Sequence, residues 1–95
     1  MKKYSREQEA KLPSFKNHGQ ARMYFKNKYG CDFMMMDSEV IDEMKIYFYI
    51  IILNRVEYEK GVKQLTTVGY SEGFDFLNSY QSIEIYEDGN IHMVH

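Results

Sequence analysis

Apolar and polar positions divide the chain into a charged lead, a helix and a series of strands. Residues 1–12 are polar and charged without a period, and Pro13 follows. Residues 1–13 therefore read as a flexible charged N-terminal arm, or a short irregular helix that is weakly held. Beyond Pro13 the pattern changes. Ala21, Phe25 and Tyr29 fall at i, i+4 and i+8 with Tyr24 alongside, which is the stripe of an amphipathic helix. Ser14 or Asn17 can cap it, and Gly30 can end it.

Cys31–Met36 reads as a short buried strand, with the Met34-Met35-Met36 run alternating between two packed faces. The acidic stretch 37–43 reads as a turn. Residues 45–53 (KIYFYIIIL) are apolar on both alternating faces. A central strand covered on both sides explains that best, with Phe48 and Ile50 buried on one face and Tyr49 and Ile51 on the other.

Residues 54–68 fit two elements. As a helix they have Asn54 at the cap, Glu57 three residues later, and Tyr58, Val62 and Leu65 on one stripe. As a hairpin they turn at Glu59-Lys60-Gly61, and Gly61 inside a helix costs about 1 kcal/mol relative to Ala. Cap and stripe agree with each other, which favours the helix. Ser71 can cap a further short helix reaching Tyr80, with Phe74 and Leu77 turned inward.

The last segment decides its own register. A three-residue Glu87-Asp88-Gly89 loop pairs Ile83 with Met93, Glu84 with His92 and Ile85 with Ile91. Only that register puts all four apolar residues on one face. It also needs Gly89 at positive φ, which glycine adopts without strain. The elements together define an α+β fold. A small, mainly antiparallel sheet carries an N-terminal helix packed on one face and a C-terminal β-hairpin, in a single domain over residues 14–95.

Composition narrows the class. At 95 residues there is room for one core, and 44% apolar residues suffice to form it. The single cysteine, Cys31, excludes an internal disulfide and reads as a small buried residue at a strand start. The basic start has no apolar stretch behind it, so it is not a signal peptide. Eight apolar residues at Ile46–Leu53 are too few for a membrane helix, which needs about 20. A soluble cytoplasmic protein without a membrane partner is the expectation.

Charge is segregated. Residues 1–29 carry eight Lys or Arg and two Glu, and the remainder carries four basic and twelve acidic residues. Lys16, Arg22, Lys26 and Lys28, with Tyr24 and Tyr29 interleaved, form a candidate contact surface for nucleic acid or a protein partner. The same residues also describe a solvated helix face, and the net charge of −2 speaks against nucleic acid.

Glu84 and His92 form a polar surface pair across the hairpin, and a carboxylate beside an imidazole is an acid–base arrangement. No nucleophile is identifiable beside it. His92 and His95 point to opposite sides of a strand, and His18 is remote, so no metal set assembles. The stretch 69–74 (GYSEGF) lacks the lysine and glycine spacing of a phosphate loop, and no cofactor is implied. The expected function is thus a non-enzymatic interaction module that binds another protein. Homodimerisation through the poorly charged edge at Asn90–His95 is a further expectation. The alternatives are a nucleic-acid-binding accessory protein using the basic third, and a small enzyme using Glu84 and His92.

Overall fold

The computed structural model describes residues 3–69 and 76–94. Four strands form one antiparallel sheet in the order β1-β2-β3-β4: β1 (Phe33–Ile41), β2 (Met44–Ile52), β3 (Tyr80–Tyr86) and β4 (Ile91–Met93). Helix α1 (Arg6–Ala10) and helix α2 (His18–Tyr29) precede the sheet, and helix α3 (Arg55–Val68) stands between β2 and β3.

Each helix begins where a side chain can take up a free backbone N–H. Ser5 and Gln8 form a reciprocal capping box on α1. Asn17 accepts from the Gln20 N–H at 2.9 Å, and Asn54 accepts from the Glu57 N–H at 3.2 Å. The helix is therefore the right reading of 54–68. Its apolar stripe is only partly covered, however: Val62 and Leu65 remain exposed. Of the stripe only Tyr58 makes contact, packing on Phe76 and Tyr80 at ring distances of 5.8 Å each, and beside it Gly61 is buried.

Strand parity sorts the core. Phe33, Tyr49, Ile51, Ile83, Ile85 and Met93 join Ala21 and Phe25 of α2 in one buried cluster. Phe25 is fully buried and stacks on Phe33 at 5.6 Å. Burial of that kind stabilises a domain by about 1.5–3 kcal/mol per side chain. The other parity of β2 carries Ile46, Phe48, Ile50 and Ile52. Three of these are buried, but Phe48 is only half-buried. Its cross-strand neighbours are Asp37 and Glu84, two acids that do not close over a ring.

β1 departs from the expected short buried strand. It is nine residues long, begins at Phe33, and takes in most of the acidic stretch read as a turn. Asp42 and Glu43 alone make the turn, at φ values of 51° and 68°. As an edge strand β1 tolerates acids and exposed residues, and only Phe33 is buried. A bulge between Met35 and Asp37 shifts the alternation, so no period-two signal runs through it. Cys31 lies before β1 in a short 3₁₀ turn, Gly30–Asp32, and is exposed rather than buried.

The C-terminal hairpin has the register Ile83↔Met93, Glu84↔His92, Ile85↔Ile91, with Gly89 at φ 93°. Gly89 is also a close contact: a Cβ there would stand 2.3 Å from the Phe15 carbonyl oxygen. The Glu87 carbonyl accepts from the His18 N–H at 3.1 Å, so the β3–β4 turn seats the start of α2. At the other end of β3 the first half of the expected 71–80 helix, with Phe74, lies outside the described residues. Leu77 is exposed, and Tyr80 already belongs to β3.

The first described residues are tied to the sheet. The Tyr4 N–H donates to the buried Gln81 side chain at 2.6 Å, and the Met93 N–H donates to the Glu9 carboxylate at 2.6 Å. Leu12 and Phe15 pack against the core.

Candidate functional site

Two cations of the expected basic set converge. Arg22 and Lys26 stand four residues apart on α2, hence on one face, and both are exposed. They line a cleft of about 610 Å³ with Cys31, Phe33, Met34, Met35, Tyr49 and Arg55. Five separate elements supply these side chains: α2, the 3₁₀ turn, β1, β2 and the start of α3.

The charges in the cleft are not equivalent. Arg55 pairs with Asp32 at 2.7 Å and with Glu59 at 3.2 Å, and the hydrogen bonds it donates to those carboxylates hold it more firmly protonated. Among the described residues, neither Arg22 nor Lys26 has a carboxylate within 4 Å. No described carboxylate neutralises either charge, and Arg22 bears on the Tyr49 hydroxyl and on His18. The floor is aromatic: Tyr49 stacks on Phe33 at 4.4 Å, and its hydroxyl shares a hydrogen bond of 2.7 Å with His18 Nε2. Burial raises the Tyr49 pKa, opposed by Arg22.

His18 was remote in sequence and belongs with this wall in space. Its ring lies flat on Tyr47 at 3.5 Å. Burial lowers its pKa, assisted by Arg22 and Lys45 and opposed by Glu87. No linear signal links residues 18, 47 and 49, because the contact exists only once α2 meets β2.

The other basic residues go elsewhere. Lys28 donates to the Tyr4 hydroxyl at 3.2 Å and lies 5.6 Å from the centroids of both Tyr4 and Tyr29. That hydrogen bond raises its pKa. Tyr24 and Tyr29 pack against the core instead of offering stacking platforms, and Tyr29 shares a hydrogen bond with Tyr4. Lys16 is exposed ahead of α2 and does not line the cleft.

Glu84 and His92 meet across the hairpin, with Oε1 and Nδ1 2.7 Å apart. His92 is exposed and lines none of the described clefts. Among the described residues no three His, Cys, Asp or Glu side chains could hold a metal ion, and no helix is long and apolar enough to cross a membrane.

Beside the cleft, β1 exposes Met34, Met35, Met36, Val40 and Ile41. Methionine side chains are flexible and polarizable, and they adapt to varied partners. Sequence reasoning missed this surface because the methionines read as packed.

No protein-family model matches the chain, and no curated protein or solved structure is significantly similar to it.

Proposed function

We propose that the protein is a non-enzymatic interaction module that binds another protein, and that β1 is its docking edge. One observation carries this reading. β1 is a nine-residue edge strand with seven exposed residues, and five of the seven are large and apolar. An edge of that kind offers unpaired backbone groups to an added strand. In this reading α2 covers one face of the sheet, and the β1 side is left for the partner. A reducing cytoplasm suits the exposed Cys31 thiol.

The second reading is nucleic-acid binding, and Arg22 and Lys26, which no described carboxylate neutralises, favour it. Only two of the four expected cations converge, however, and the tyrosines expected to stack on bases are half-buried against the core. Asp37 and Glu39 on β1 would also repel phosphate.

A photo-crosslinking residue at Met35, with a control at Asp88 in the far turn, tests the proposal in cells that make the protein. A discrete protein adduct formed from position 35 and not from 88 is expected. An adduct from position 35 that nuclease digests would replace this reading with the nucleic-acid one.

A further inference from the structure

We infer that the docking edge takes an extended acidic–apolar segment of a partner protein, whose carboxylates enter the Arg22–Lys26 side of the cleft. This rests on the protein-binding reading above and specifies its partner.

The argument begins with the two sides of β1. Strand register puts Phe33 and Met35 on the side of Tyr49 and Ile51, which is the side of the cleft. It puts Asp37 and Glu39 on the opposite side, beside Phe48 and Ile46. A strand added along β1 therefore meets different chemistry on its two faces. On the cleft side it meets Arg22 and Lys26, which have no carboxylate of their own within 4 Å among the described residues. On the other side it meets two acids. Acidic residues suit the first side and are repelled on the second, where apolar or basic residues fit. Because strand side chains alternate, the partner's acids should recur at every second position. The exposed Met35 and Met34 supply apolar contact on the two sides.

A second copy of the chain fits this edge less well. A two-fold axis that joins two β1 strands in one sheet leaves both α2 helices on the same side. Registers that pack the methionines against their own copies then bring two Arg22–Lys26 pairs together, like charge against like.

A displayed library of random nine-residue peptides, panned on the immobilised full chain, tests this. Recovered peptides should be enriched in Asp and Glu at alternate positions. Their affinity should fall about tenfold in the double variant Arg22→Gln/Lys26→Gln, and more steeply in salt for the unmodified protein. Both side chains are exposed, and a thermal melt of the variant checks that it folds. No recovered peptides, peptides without excess acid, or peptides that bind the variant equally well would overturn the inference. The protein adduct from position 35 would then still support the broader reading. Tighter binding of a thirty-nucleotide oligo(dT) that depends on Arg22 and Lys26 would overturn both. A concentration-dependent dimer abolished by Met35→Lys would make a second copy the occupant and overturn the acidic segment.

Discussion

Gly61 of α3 lies directly under the ring of Phe76, where a Cβ would stand 2.0 Å from Phe76 Cδ1 and 2.8 Å from its Cβ. The glycine that weakens the helix as an isolated element is what lets the ring approach. Exposed helix glycines gain up to about 1 kcal/mol on replacement by Ala. Here Gly61→Ala should lower stability instead, because Phe76 must leave Tyr58 and Tyr80. Urea unfolding of the two proteins decides it, and a stabilised variant would mean that Phe76 does not sit there.

The β1–β2 turn offers the opposite case. Both loop residues, Asp42 and Glu43, occupy the left-handed region that such two-residue turns require. Neither is glycine, and left-handed backbone costs an ordinary residue roughly 1–2 kcal/mol. Glu43→Gly should raise stability by about 0.5–1 kcal/mol, the remainder being lost to a more flexible unfolded chain. An upward shift in melting temperature checks it.

Core substitutions should rank by burial and not by position in the most apolar run. Phe25→Ala should cost about 3–5 kcal/mol, as for a fully enclosed phenylalanine. Phe48→Ala should cost clearly less, since Phe48 is half-buried between two acids. Equal losses in chemical denaturation would show that the β2 face carrying Phe48 is covered.

His18 sets an acid limit on stability. Its folded pKa lies below the ordinary value of 6.5, because burial and the neighbouring Arg22 and Lys45 disfavour the imidazolium, against Glu87. Below pH 6.5 the unfolded chain takes up a proton that the folded chain resists. Its contribution is fully present above that pH and is lost as pH falls through the folded value. Denaturation midpoints measured from pH 7.5 to about 5 should decline, and His18→Gln should flatten the decline.

The hairpin at residues 83–93 was legible because one register alone segregates its apolar residues, and Gly89 supplies the conformation its turn needs. α2 and α3 were legible from their caps, Asn17 and Asn54. β1 was not, for two reasons. Edge strands need no buried period, and the bulge after Met35 breaks whatever alternation is present. Cys31 has the local sequence of a buried strand start, but the 3₁₀ turn before β1 leaves it exposed. The cleft drew on Arg22, Lys26, Tyr49 and Arg55, four positions whose convergence depends on how α2 and α3 meet the sheet. Linear spacing relates Arg22 to Lys26 and nothing else in that set.

The two ends of the sheet differ in a way that governs stoichiometry. At β4 the Met93 N–H is already taken by Glu9, and the chain from Glu9 to Phe15 runs alongside Asn90 and Ile91. At β1 no described strand pairs with the outer edge. A sheet with two open edges can be lengthened without limit, strand after strand, into fibres. Among the described strands this sheet leaves only β1 to be extended. Its complexes should be one-to-one, and truncation before Pro13 should convert a terminating sheet into one able to polymerise.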